Sequence, residues 1–351
     1  MHPIARGLCL CLALLSAGPL SAEPVEGLFR VREPLPQEQP DARAEGLRRA
    51  FDTLVLRLTG DAEASRGASL AALRNDPQPV ITQYGYQADS VFVEFDAASV
   101  QKRLRDAGLG LWGANRPVVL VWWLNESPVE TRLLGDGQES SDVLRAAAQH
   151  RGLPLRLPLA DLSEQLAVTP EALGDPRRTL VDASSRYDAD AVMAARAQQS
   201  DSGWQVEWVL SLGDAQTRGQ VSEASLEAAA DAVMRAAQVW MAPRFVGQGG
   251  AVEAVALEVE GADVAGYAQV QKLLEPLGAR LVAVEGDRLV YALSADLEQL
   301  RAQLSLARLV EVPAEAPAAA SEPEAPGIDA TAPPAPSVLP ATEARRLRFR
   351  W

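Results

Sequence analysis

The sequence predicts an α+β protein (mixed α/β) of three small domains, the last ferredoxin-like (βαββαβ), followed by a disordered C-terminal tail. Three observations carry this. Residues 116–124, Arg-Pro-Val-Val-Leu-Val-Trp-Trp-Leu, have no polar side chain on either alternating face after Arg116, the pattern of a strand covered on both sides. A glycine-rich break at 247–250 separates this region from a shorter β-α-β-β-α-β order that ends near residue 312. From Pro313 onward the composition turns to Pro, Ala and Glu with almost no large apolar residues, too little buried surface to offset the entropy of ordering.

Residues 1–22 read as a signal peptide. Arg6 precedes an apolar segment over 8–15, Pro19 breaks it, and Leu20-Ser21-Ala22 before Glu23 supplies small residues for cleavage. An uncleaved anchor would need about 20 uninterrupted apolar residues. Cys9 and Cys11 both fall inside the leader, so the mature chain is expected to be thiol-free. Every later apolar run is interrupted by charge, so no transmembrane span is expected in the mature chain, and the expected location is the periplasm.

The first domain, 23–115, is expected to run βαββα. Val25, Leu28, Phe29 and Val31 suggest a strand ended by Pro34 and Pro36. Leu47, Phe51, Leu54 and Leu58 then recur at helical spacing, with Arg48, Asp52 and Arg57 assigned to other faces and Gly60 as the stop. Strands at 81–86 and 91–95 follow, and Asp96 can cap a helix carrying Val100, Leu104 and Ala107.

The middle domain, 116–246, is expected to hold a mixed sheet. Its strands are placed at 116–124, 153–157, 191–197, 204–212 and 217–221, with helices at 141–149 and 179–187 and a closing helix on the stripe Leu226, Ala230, Val233, Ala237, Trp240. The third domain, 251–312, has strands at 255–259, 279–284, 289–293 and 309–312, with helices at 264–277 and 297–304. The tail covers 313–351. Its end differs from the rest: Leu347, Phe349 and Trp351 alternate with Arg346, Arg348 and Arg350, so an extended chain would be apolar on one side and cationic on the other. Two readings stand for this end, a frayed terminus or a linear motif that adds a strand to a partner's sheet edge or touches an anionic surface.

Charge and residue inventory narrow the chemistry. A formal charge of −14 argues against nucleic acid as a partner, because such binding rests on neutralising phosphates with Lys and Arg. The mature chain has one histidine, His150, at the end of a helix pattern, where it reads as a C-terminal cation partner or a surface residue. No cofactor or metal is expected: thiol chemistry and Cys/His zinc sites are excluded, and no phosphate-binding glycine loop or nucleophile elbow occurs. Ligands of open α/β sheets bind beyond the carboxyl ends of parallel strands, which singles out Asn125 and Glu126 after the 116–124 strand and Asp161 after the 153–157 strand. The bland alternative is that Asp161 caps a turn and Asn125-Glu126 is an ordinary loop.

Several blocks together resemble one family. They are Arg57-Leu58-Thr59-Gly60, Trp112-Gly113 with Arg116-Pro117-Val118-Val119-Leu120-Val121-Trp122, Arg151-Gly152-Leu153-Pro154 with Pro158-Leu159-Ala160-Asp161-Leu162, and Ala183-Ser184-Ser185-Arg186-Tyr187. The family is the proteobacterial domain of unknown function family numbered 2066, over most of the chain before the tail. It has no assigned activity, so the resemblance implies no catalytic residue. More distantly, the middle-domain order is similar to the amino-terminal domain of the periplasmic Tol-Pal translocation protein. The expected role is a non-catalytic interaction or assembly module with an envelope protein partner; the alternative is a carboxylate-dependent hydrolase acting on an envelope polymer through Glu126 and Asp161.

Overall fold

The computed structural model describes residues 25, 27–35, 41–87, 89–247, 253–312 and 345–351. The leader expected at 1–22 and the Pro/Ala/Glu-rich stretch 313–344 lie outside them. Mixed helix and strand content over three sheets makes the chain α+β.

The first sheet is built from β1 (Arg30–Pro34), β2 (Ile81–Gln87) and β3 (Ser90–Phe95), ordered β1-β3-β2 and antiparallel throughout. Its apolar face, with Val31, Val91 and Val93, packs on α1 (Ala42–Thr59) and α3 (Ala97–Asp106), while the short α2 (Ala71–Asn75) leads into β2. The helical stripe Leu47, Phe51, Leu54, Leu58 is core, as its spacing requires. Arg57, assigned by spacing to another face, is instead only 2 % exposed. Gly60 ends α1 in the left-handed region at φ 71°, and a Cβ there would lie 2.0 Å from that of Ala242, so the position is closed to other residues.

The second sheet takes in β4 (Val119–Glu126), β5 (Thr131–Leu134), β6 (Leu155–Arg156), β7 (Ala191–Ser200), β8 (Gly203–Leu212) and β9 (Ala215–Glu223). The order is β5-β4-β7-β8-β9, with β6 also beside β4. Strand β4 runs parallel to β6 and β7; the remaining pairs are antiparallel. Both faces of β4 are buried. Val119, Val121 and Trp123 face α4 (Asp142–Arg151) and α9 (Leu226–Met241), while Leu120, Trp122 and Leu124 face a layer that includes Leu173, Leu180 and Tyr187.

That second layer departs from the single helix expected at 179–187. Four short helices build it, the last at the expected place but shorter and the others in the stretch before it: α5 (Leu162–Ala167), α6 (Pro170–Leu173), α7 (Pro176–Thr179) and α8 (Val181–Ser185). Pro170 and Pro176 each occupy a helix start, where proline is tolerated, and neither could sit inside one longer helix. Strand β5 has no counterpart in the sequence reading; four residues after a tight turn carry too little pattern.

The third sheet contains β10 (Glu253–Glu260), β11 (Arg280–Glu285), β12 (Arg288–Ala295), β13 (Val310–Val312) and β14 (Arg345–Arg350), with α10 (Val264–Leu274) and α11 (Leu297–Leu306) completing the βαββαβ order. Its strand order, β11-β12-β10-β14-β13, corrects the expectation for the tail. Residues 345–350 are neither a disordered end nor a motif waiting for a partner: they form β14, parallel to β10 and antiparallel to β13, in the place where β13 would otherwise meet β10. The alternation explains it. Leu347 and Phe349 enter the core, while Arg348 reaches the Glu260 carboxylate at 2.5 Å on the opposite face. Arg346 and Arg350 share that polar side, and the Trp351 ring lies against Gly266, where a Cβ would come within 3.0 Å of it.

Candidate functional site

The carboxyl end of β4 does not carry a free carboxylate pair. Asn125 Oδ1 accepts from the Trp123 indole N–H at 2.8 Å, which fixes the amide against the sheet. Glu126 is held by the neighbouring β7: the Arg196 guanidinium donates to its two oxygens at 2.9–3.0 Å, and Gln198 Nε2 donates at 3.0 Å. That is a bidentate, charge-assisted pairing across adjacent strands.

Asp161 serves α5 instead. Its Oδ1 accepts from the Glu164 backbone N–H at 3.0 Å and the Ser163 hydroxyl at 2.6 Å, while Glu164 reaches back to the Asp161 N–H, a complete capping box. The Arg186 guanidinium donates to both Asp161 and Glu164. The Ser163 hydroxyl, the Glu164 N–H and Arg186 hold the Asp161 carboxyl well below the usual carboxylate range. Glu164, 2 % exposed in its side chain, also accepts from the Tyr187 hydroxyl, and Tyr187 stacks edge-on against Trp122. Glu126 and Asp161 therefore have separate partner sets and share none.

A cleft opens beside β5. Its floor is Leu124 and Leu133, one wall is the β5 strand with Gln138, and the other is Gln165, Val168 and Thr169 between α5 and α6. Its polar lining combines the hydroxyl and amide groups of Thr131, Gln138, Ser140, Gln165 and Thr169 with the charged Arg132 and Glu139, chemistry suited to a hydrogen-bonding ligand. It sits where the strand-end rule points, yet Leu124 alone of the strand-end residues reaches it; Asn125, Glu126 and Asp161 face elsewhere.

A second polar cluster, missed by the sequence reading, joins the first sheet to the second. His150 on α4 is half-buried between Asp231 of α9, 2.6 Å from Nδ1, and Glu33 of β1, 2.9 Å from Nε2. Arg151 also pairs with Asp231, and the Thr53 hydroxyl donates to Glu33 at 2.5 Å. Burial opposes charge on the imidazole, but hydrogen bonds to Asp231 and Glu33 outweigh it and raise the His150 pKa. Burial likewise opposes charge on the two carboxylates, and their contacts with His150 and Arg151 still hold both below the usual range.

Two buried arginines complete this seam. Arg57 donates to the carbonyls of Gln149 and His150, the last turn of α4, and to those of Leu28 and Arg30. Arg116 donates to the carbonyls of Gly113 and Gly152 at 3.0 and 2.9 Å and to those of Arg57 and Trp112 at 2.5 and 3.2 Å, with its guanidinium 4.3 Å above the Trp112 ring. The arrangement is a mechanical joint: cations satisfy carbonyls that loops and helix ends leave open. Local spacing carried no signal for it, because these guanidinium groups meet carbonyls up to 93 residues away in the chain.

Residues 22–113, which span the first sheet and α1 to α3, match a family model described as a domain of unknown function (DUF8605). No curated protein and no solved structure matches the chain. Among the described residues no helix is long and apolar enough to cross a membrane.

Proposed function

We propose that this protein is a non-catalytic interaction or assembly module of the cell envelope, exported by its leader to the periplasm, with an envelope protein as its partner. One observation carries the reading. The strand-end carboxylates are each committed to an arginine, Glu126 to Arg196 and Asp161 to Arg186, while the cleft beside β5 offers hydrogen-bonding groups. A carboxylate already paired with an arginine is not free to act on a substrate, whereas a polar cleft beside a sheet suits recognition. The topological resemblance of the middle region to the amino-terminal Tol-Pal domain supports the same reading, and the formal charge of −14 disfavours nucleic acid as the partner.

Fractionation of cells expressing the full chain tests the location, and a photo-cross-linking residue at Gln138, with one at Lys102 as control, tests the role. The reading expects a periplasmic adduct to an envelope protein from Gln138 and none from Lys102. Cytoplasmic retention would overturn the location. Hydrolysis of an envelope polymer by the purified chain, abolished in Glu126→Gln or Asp161→Asn, would overturn the role in favour of the hydrolase.

A further inference from the structure

The cleft beside β5 is bounded by an open strand edge, and the hydrogen-bond pattern shows which groups it presents. The turn after β4 is closed by the Ser127 N–H donating to the Glu130 carbonyl at 2.9 Å. Residues 127 and 130 are thus a bonded pair, continuous in register with Asn125↔Arg132 and Trp123↔Leu134. Bonded and non-bonded pairs alternate along an antiparallel ladder, so Arg132 and Leu134 turn their backbone groups toward β4 while Thr131 and Leu133 turn theirs outward. Gln138 corroborates this: its Nε2 reaches the Leu133 carbonyl at 3.4 Å from the open side. Among the described residues no hydrogen bond reaches the N–H of Thr131 or Leu133, or the Thr131 carbonyl, although Leu133 is only 5 % exposed. A backbone donor left open in so enclosed a place lacks a partner of its own kind.

We infer that this cleft is a strand-acceptor site: an extended segment of a partner protein adds to β5 as a further strand of the second sheet. Outward groups two residues apart match the repeat of a β-strand backbone. The segment fits between β5 and the α5–α6 wall, with a small apolar side chain over Leu124, Leu133 and Val168. Arg132, beside the site, is already paired with Glu130 at 2.9 Å, so the segment is held by its backbone and apolar side chains rather than by charge, and it has no proline opposite Thr131 or Leu133. This deepens the proposed interaction role and rests on it.

The test uses the full chain and dodecapeptides selected on it from a random displayed library, then resynthesised. The inference expects a selected peptide to protect the Thr131 and Leu133 amides from hydrogen exchange. N-methylation of alternate peptide residues, which removes backbone donors and leaves the protein untouched, should weaken binding at least about tenfold. Thr131→Pro removes only an outward N–H and should do the same. Peptides that bind equally well to Thr131→Pro and survive N-methylation, protection that appears only at another edge such as β9, or a library that yields no binder would each overturn the site. Protection at another edge would leave the interaction module intact, and the envelope cross-linking decides that broader reading separately.

Discussion

Replacing Arg116 with methionine asks whether the joint between the first and second sheets is held by hydrogen bonds or merely tolerates a buried cation. Arg116 is fully buried, and its four acceptors are all backbone carbonyls. Burial, followed by repulsion from Arg57, lowers its pKa to about 9, so it remains a cation at neutral pH. Methionine keeps the apolar stem and strands the four carbonyls. At about 1 kcal/mol each, the low end for a buried unsatisfied group, that costs about 4 kcal/mol. Losing the stack on Trp112 adds about 1 kcal/mol. Against this stands relief of burying a charge with no carboxylate beside it, which can be worth several kcal/mol and is the reason some buried ions are replaced without loss.

The carbonyls outnumber the single charge, so a net destabilisation of about 3 kcal/mol is expected. For a unit of this size it corresponds to a fall of roughly 6–12 °C in the midpoint of the joint unfolding of the first two sheets. Arg116→Lys should cost about 2 kcal/mol, since an ammonium keeps the charge but has at most three donors and no planar fork. Differential scanning calorimetry of the full-length variants reads both. A methionine variant as stable as the parent, or more so, would refute the reasoning, because desolvation would then dominate the site.

Other substitutions probe the remaining features. The raised His150 pKa means the charged ring is favoured by folding: its contribution is fully present below the unfolded value near 6.5 and is lost as pH rises through the higher folded value, so His150→Gln should flatten the alkaline side of a denaturation midpoint measured against pH. Glu33 and Asp231 act oppositely, with stability present above their unfolded values and lost as pH falls through the depressed folded ones; acid titration of Glu33→Gln should show a shallower loss. Gly60→Ala should cost about 2 kcal/mol or more by thermal melting, from left-handed backbone strain plus contact with Ala242. Phe349→Ala should lower the stability of the third sheet by about 3–5 kcal/mol, read by hydrogen exchange at β10 and β12, whereas a frayed end would show no change.

What the sequence disclosed follows the range of the signal. The 116–124 run declared a strand buried on both faces because each alternating position is apolar, and the helical stripe of α1 declared its inward face through local spacing. Local patterns could not say where Arg57 goes, because its partners are carbonyls of β1, its flanking turn and α4, up to 93 residues away. The same limit hid β14: the alternation of Leu347 and Phe349 with arginines specified a two-faced strand, but not that the chain would return to its own sheet. At the candidate site, Asp161 as a cap was legible from Asp161-Leu162-Ser163-Glu164, a local motif. The pairing of Glu126 with Arg196 depends on which strand lies beside β4, and the cleft depends on β5, too short to leave a pattern.

The position of β14 also imposes an order of events. Arg348 and its partner Glu260 are 88 residues apart, and β14 lies in the interior of the third sheet, between β10 and β13. A chain emerging from its site of synthesis or export can complete β10 to β12 early, but that sheet stays unfinished until residue 350 has emerged and found its gap. Closing so long a loop delays the contact far more than it weakens the finished structure. During that interval the edges of β10 and the apolar groups awaiting Leu347 and Phe349 are open to chaperones, proteases and neighbouring chains. Removal of residues 345–350 would make that interval permanent, so the quality of the whole third sheet is decided by β14.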